Sequence, residues 1–375
     1  MRYIGNKTKL VPFILRTLAR LGVEPGAAHD AFAGTASVGR ALKEAGWRVA
    51  SSDIMTYSYV LQRAYVVASR PPDLDPLLEG DAELRAALAT PRFRERAASS
   101  GAVPGTTEWT LAAVGAWLAE GVGAECGFVS THFAPAGGRM YFTPENAGRI
   151  DAARRRLHEW RRDGLLGDEA FHVLLAALIE GADRVANTAG VYAAYIKRWQ
   201  ANAQRPLTIE PVMPLAGDGS TAHVADATEL SRALGEIDLV YVDPPYNNRQ
   251  YASYYHVPEL IARGWFDETP ALRGTAGLLA EGAPWSDWCF SRRVGARLRE
   301  LLETTGARHA LVSYNSEGHL SHRDLLDVLR AVSLDGRVRR FTARYRRYRA
   351  DRDREGRRYM RDQVVEQLYH VRLKP

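Results

Sequence analysis

With only two cysteines, Cys126 and Cys289, far apart in 375 residues, the chain cannot build a disulfide framework or a thiolate metal site. A reducing compartment is therefore expected. Long apolar runs are missing too. The longest, Ala170 to Ile179, is too short and too interrupted to span a bilayer, which takes about 20 residues in a helix. The first residues, Met1-Arg2-Tyr3-Ile4-Gly5-Asn6-Lys7, lack the apolar segment of a secretory signal. The ten histidines are scattered without a His-x-x-x-His pair, so no metal is expected. No phosphate loop of the G-x-x-x-x-G-K-[ST] type marks a nucleotide triphosphatase. These absences support a soluble cytoplasmic protein with no membrane partner.

What is present is ordinary for a globular chain: 46% hydrophobic and 25% charged residues. The length allows two or three domains. A net charge of +6 fits a polyanionic partner without requiring one.

Periodicity divides the chain into three parts. Residues 1–70 read as helix (Lys9–Leu21), short strand (Ala27–Phe32), helix (Ala36–Ala45) and strand (Arg48–Ser52), a β-α-β start. Strand signals then nearly vanish. Helical patterns cover Pro91–Ala98, Thr110–Leu118, Glu145–Arg161 and Ala170–Val185, and Pro71-Pro72 marks a boundary. From about 205 strands return, with Asp238–Val242, Ala310–Tyr314 and Gln367–Leu373. The expected fold is α/β, built from residues 1–70 and 205–375 and interrupted by a mostly helical insertion over 71–204.

The strongest motif is Asp243-Pro244-Pro245-Tyr246, directly after the apolar strand Asp238–Val242. Ligands of open α/β sheets bind outside the carboxyl ends of strands. An exocyclic amine on a base is a poor nucleophile, because its lone pair is delocalised into the ring. The Asp243 carboxylate and the Pro244 carbonyl can each accept one of its hydrogens and draw the nitrogen toward tetrahedral geometry. Pro244 and Pro245 fix the backbone so that this carbonyl stays aimed. Tyr246 offers a ring on which a flipped base can stack. The bland alternative is a strand ending in a Pro-Pro turn.

A second constellation is Asp30-Ala31-Phe32-Ala33-Gly34-Thr35, between the first strand and its helix. Gly34 permits a tight turn and close approach of a ligand to backbone amides. Some 20 residues on, the second strand ends in Asp53, where nucleotide-binding α/β folds hold ribose hydroxyls. Jointly they point to an adenosine-containing ligand; singly, each also fits a turn or capping residue.

In this order the motifs resemble the Dam-like class of adenine-specific DNA methyltransferases. Tyr3-Ile4-Gly5-Asn6-Lys7 is similar to that family's aromatic-x-Gly-x-Lys opening, with Asn6 where many relatives have glycine. Asp30 to Gly34 is similar to its D/E-x-F-x-G loop, and Asp243–Tyr246 to its DPPY tetrapeptide. Tyr141-Phe142-Thr143-Pro144-Glu145-Asn146 and Asn187-Thr188-Ala189-Gly190-Val191-Tyr192 also look similar, whereas 71–140 aligns little.

The resemblance implies a Rossmann-like methyltransferase sheet and a helical target-recognition insertion. It implies methyl transfer from S-adenosylmethionine to the N6 amine of a flipped adenine in duplex DNA. A restriction-modification or related system in the prokaryotic cytoplasm or nucleoid is then expected. A cognate restriction endonuclease is a candidate partner, and a monomer or weak dimer is the expected assembly. Tyr3, Lys7, Asp53 and Asp243 would line the cofactor site. Asp30, Phe32 and Gly34 would form its loop, and Asp226 would lie near the cofactor's adenine ring. Relatives acting on cytosine tend to carry Ser at the first tetrapeptide position and those acting on protein glutamine Asn, so Asp243 favours adenine. RNA methylation and a catalytically silent DNA-binding module are the remaining rivals.

For DNA contact, the stretch Arg337–Arg358 holds eleven arginines against three acids, a local excess of +8. Arg344, Arg346, Arg347 and Tyr348 are its candidate contacts; the alternative is a solvated loop between strands. Asn247, Asn248 and Arg249 follow the tetrapeptide, where the nucleotides flanking a flipped base are expected. Arg154-Arg155-Arg156 and Arg161-Arg162, on or just after a helix, either track the backbone or are solvated.

Overall fold

The computed structural model describes residues 1–315, 318–346 and 363–374, the side chains of 344–346, 363 and 364 excepted. The chain forms two compact units. One comprises Ile4–Gln62, Gly217–Tyr251 and Pro284–Pro375; the other comprises Met1–Tyr3, Arg63–Ala216 and Ala252–Ala283.

The first unit is built on seven strands: β1 Ala27–Asp30, β2 Arg48–Asp53, β3 Thr221–Val224, β4 Glu236–Val242, β5 Gly306–Asn315, β6 Arg339–Arg346 and β7 Gln363–Arg372. Their order is β3-β2-β1-β4-β5-β7-β6. The first five run parallel, whereas β7 is antiparallel to both β5 and β6. This is the Rossmann-like methyltransferase sheet that the resemblance implies. Chain order reverses direction between β1 and β4, so the carboxyl ends at Asp30 and Val242 flank the switch point where such sheets bind ligands.

Local chemistry explains the elements. Leu239–Val242 are buried on both faces of β4, as a central strand of a covered sheet requires. Val240, Val242, Ala310, Val312, Tyr369 and Val371 share a core with Leu298 and Leu301 of the helix Val294–Thr304 and Leu325 and Leu329 of the helix His322–Val332. The helix Val11–Leu21 starts with Pro12 in its first turn and ends at Gly22, φ 67°, whose amide returns to the last turn.

In the second unit, helices Pro144–Arg162 and Asp168–Val185 carry a continuous apolar core. Thr143 caps the first by accepting from Asn146 N at 3.2 Å. Buried Asn146 in turn binds Ala203 O, Arg205 O and Leu207 N. Asn187 N donates to Tyr141 O at 2.8 Å, so the two conspicuous sequence segments of this unit meet here. The unit is wider than 71–204. It starts at Arg63, runs to Ala216, and takes back 252–283 after the tetrapeptide.

Candidate active site

Asp30 ends β1 and opens a loop tied to both neighbouring strands: Ala31 N donates to Tyr241 O and Ala33 N to Ser52 O, each at 3.0 Å. The turn requires left-handed backbone at Gly34 (φ 51°) and at Ala36 (φ 59°), the one non-glycine residue with positive φ among those described. An L-residue held there costs about 1–2 kcal/mol, and such strain collects at ligand-binding loops. Asp53, at the end of β2, accepts from Gly34 N at 2.9 Å and from Met55 N at 3.0 Å, so its carboxylate shapes the loop. Phe32 meets Trp288 edge-on, with centroids 4.8 Å apart. Asp30 is 1% exposed, and among the described residues no side chain hydrogen-bonds to its carboxylate, which is approached by the backbone of Phe32 and Gly39. Burial, reinforced by the nearby Asp243 carboxylate, pushes its pKa up to about 7.

Directly after β4, Asp243 receives a short hydrogen bond from the Tyr246 hydroxyl. Lys7 Nζ lies 3.2 Å from Asp243 Oδ1, 2.8 Å from the Tyr246 hydroxyl and 3.7 Å from Glu366 Oε2. The Lys7 side chain is 4% exposed. Burial alone would lower its pKa, but the Asp243 and Glu366 charges outweigh that and raise it, so the ammonium stays charged. Burial raises the pKa of both carboxyls, with Lys7 opposing. Pro244 is buried. The Tyr246 ring packs edge-on against Tyr314 at 5.4 Å, and its hydroxyl is 3.5 Å from Ser313 Oγ.

Charge here is unbalanced. Asp53 and Asp243 each lie within electrostatic reach of Asp30, and Glu366 within reach of Asp243, while Lys7 is the cation that holds Asp243 and Glu366. A partly buried acidic excess, in which no side chain hydrogen-bonds to the Asp30 carboxylate among the described residues, suits a cationic ligand.

Lys7, Asp30, Phe32, Gly34, Asp53 and the tetrapeptide thus all belong to the sheet unit, at or next to the switch point. Tyr3 belongs to the helical unit, where its ring stacks on Tyr255 at 4.7 Å. Asp226 caps the helix Ala227–Ala233 by accepting from Thr228 N, and its same oxygen pairs with Arg297 at 2.9 Å. Asn247 Oδ1 accepts from Arg249 N at 3.0 Å and so shapes its own turn, whereas Asn248 and Arg249 are exposed. Arg347 and Tyr348 lie outside the described residues, and Arg344 and Arg346 are described only as backbone of β6. The first part of the arginine-rich stretch is therefore strand rather than loop.

The triple arginine of the helical unit is structural. Arg154 is buried and donates to Ile261 O, Arg155 pairs with Glu125 and Glu159, and Arg156 pairs with Glu83. Two residues escaped the sequence reading as site members. Glu366 gave no local signal. Tyr251, whose hydroxyl faces Gly5 and whose pKa is raised by burial and Asp243, follows the tetrapeptide closely enough to have been suspected.

The family model for the D12 class N6 adenine-specific DNA methyltransferases matches residues 3–81 and 125–276, which include Lys7, Asp30, Asp53 and the tetrapeptide. The chain is 30% identical to the type II methyltransferase M.NlaIII of Neisseria lactamica, over 98% of each chain. It is 31% identical to the type II methyltransferase M.FokI of Planomicrobium okeanokoites, over 95% of this chain but only 50% of that relative. With the type II methyltransferase M.CviAII of Paramecium bursaria Chlorella virus 1 it shares 30% identity over 87% of each chain. The chain belongs to the D12 class of N6 adenine-specific DNA methyltransferases.

Proposed function

We propose that the Asp243 carboxylate and the Pro244 carbonyl hold the N6 amine of an adenine rotated out of duplex DNA, with S-adenosylmethionine as methyl donor. The observation that carries this reading is the half-buried Asp243, set at the switch point between Lys7 and Tyr246 and within electrostatic reach of the buried Asp30. The acidic excess around Lys7 fits a cofactor that carries positive charge. Asp30, Phe32, Gly34 and Asp53 are the residues that would hold it. Bound there, S-adenosylmethionine supplies a methyl group made electrophilic by its positive sulfur.

The protein's own residues do the rest. Burial raises the Asp243 pKa and the Lys7 ammonium opposes that rise, which favours the carboxylate form that accepts an amine hydrogen. Tyr246 occupies Asp243 Oδ1 through its hydroxyl. An incoming amine therefore either uses Oδ2 or displaces that hydroxyl, freeing the ring to stack on the base. Pro244 and Pro245 hold the carbonyl aimed, which is preorganisation rather than a new bond. After transfer the nitrogen sheds a proton, and burial, by raising the Asp243 pKa, favours Asp243 as its acceptor.

The strand ends that flank residues 347–362, Arg346 of β6 and Gln363 of β7, lie toward the same end of the strands as Glu366 and Asp243. That supports Arg344, Arg346, Arg347 and Tyr348, with Asn248 and Arg249, as DNA contacts. The helical unit is the candidate reader of the DNA sequence. The type II names of the relatives support a restriction-modification system with a cognate endonuclease, and a monomer or weak dimer fits that role.

Incubation of the purified protein with S-adenosylmethionine and unmethylated duplex DNA, followed by mass analysis of the nucleosides, tests the reading. N6-methyladenine that disappears when S-adenosylmethionine is omitted is the expected product. N4-methylcytosine, or no modified base, would overturn it.

A further inference from the structure

The opposite end of the same strands carries a second charged site. A cavity of about 420 Å³ is lined by His309 on β5, His370 and Arg372 on β7, Arg339 on β6, and Asp335 and Arg337 just before it. His309 is four residues upstream of Ser313, which approaches Tyr246, so strand rise separates the two sites by roughly 13 Å. The three arginines are exposed around its mouth, and among the described residues none of them forms an ion pair, though Arg337 lies within electrostatic reach of Asp335. The one acid, Asp335, is engaged in shaping its turn: its Oδ1 accepts from Ser333 Oγ at 3.1 Å and from Arg337 N at 3.0 Å.

His309 Nδ1 lies 3.0 Å from His370 Nε2, with the rings stacked. Burial lowers the pKa of both, that of His370 to about 4, and the arginines lower them further, so the pair is neutral. In a neutral pair one imidazole donates to the other, and either tautomer leaves one N–H pointing away from the shared bond. Three unpaired guanidiniums against one carboxylate leave a net charge of +2 on this lining.

We infer that this cavity is a phosphate-binding site separate from the methyl-transfer site, in which Arg337, Arg339, Arg372 and an N–H of the His309–His370 pair hold phosphate oxygens. Planar guanidiniums suit that task because each offers two parallel donors. The phosphate is either free, as the inorganic ion or on a nucleotide, or belongs to the backbone of bound DNA.

Two measurements on the full-length protein decide. In the first, melting temperature is followed with rising inorganic phosphate and with chloride at matched ionic strength, for the wild type and for Arg337→Ala/Arg372→Ala. In the second, the slope of log Kd against log salt for a short duplex is compared between the same proteins. A saturable rise specific to phosphate, lost in the variant, is expected for a free phosphate. A salt slope smaller by roughly one in the variant is expected if the phosphate is DNA's. The inference is overturned if phosphate and chloride act alike on the wild type and the slopes agree. It is also overturned if the variant keeps both the full phosphate response and the wild-type salt slope.

Discussion

The two ends of one set of strands carry opposite charge. At the carboxyl ends of β4 and β5, Lys7 faces Asp243 and Glu366, with Asp30 and Asp53 near by. At the amino end of β5, three arginines and a neutral histidine pair face Asp335. The sheet frame is shared, so the difference comes from which residues stand at strand ends. At the acidic end, unpaired buried charge costs several kcal/mol per ion, and the imbalance there points to a cation. At the basic end the arginines are exposed, and their shared like charge favours an anion among them. The acidic end suits a cation, and the basic end an oxyanion. The acidic end is also the more deeply buried, with Lys7 and Asp30 almost wholly covered.

The sharpest way to break this comparison is to remove Lys7, the cation that holds Asp243 and Glu366. Lys7→Met leaves Asp243 and Glu366 buried and unpaired, and we expect a loss of about 3 kcal/mol of stability in denaturant unfolding at neutral pH. The deficit should shrink as pH falls, because both carboxyls then take protons. A variant as stable as the wild type would show that the acids are not coupled through Lys7.

A smaller effect separates the two roles of Tyr246. Tyr246→Ala should slow methylation roughly 10- to 100-fold, the scale of one base–aromatic stack, while Tyr246→Phe stays near wild type because the ring remains. Equal losses in both would assign the role to the hydroxyl held by Asp243 and Lys7.

The smallest expected effect concerns Asp30, whose pKa near 7 lies far above the usual carboxylate range. A bound cation favours the ionised form, so affinity for S-adenosylmethionine should rise with pH up to about 7 and level off above it. One coupled proton allows at most about tenfold per pH unit. Isothermal titration should show this slope in the wild type and a flatter one in Asp30→Asn.

Legibility in the sequence followed locality. The tetrapeptide was readable because an apolar run and two prolines adjoin it, and Asp30, Gly34 and Asp53 because they punctuate a β-α-β unit. Glu366 was not. It meets Lys7 only because β7 runs antiparallel into a parallel sheet, and no local pattern announces a pairing between opposite ends of the chain. Strand β6 had a weak signal, since Phe341, Ala343 and Tyr345 alternate at period two, but the arginines around them drew attention to charge. Asp226 shows the converse. Its position before a helix fits a cap as well as a ligand contact, and the cap is visible. The compact helical unit also takes in residues 252–283, which the helical patterns before 204 do not announce.

Single-turnover methylation by Asp243→Ala, with the duplex Kd measured on the same preparation, tests the central claim most directly. The expected result is a transfer rate lower by roughly 10²–10³-fold, with Kd changed only a few-fold. A near-normal rate would contradict the assignment of Asp243 to the amine.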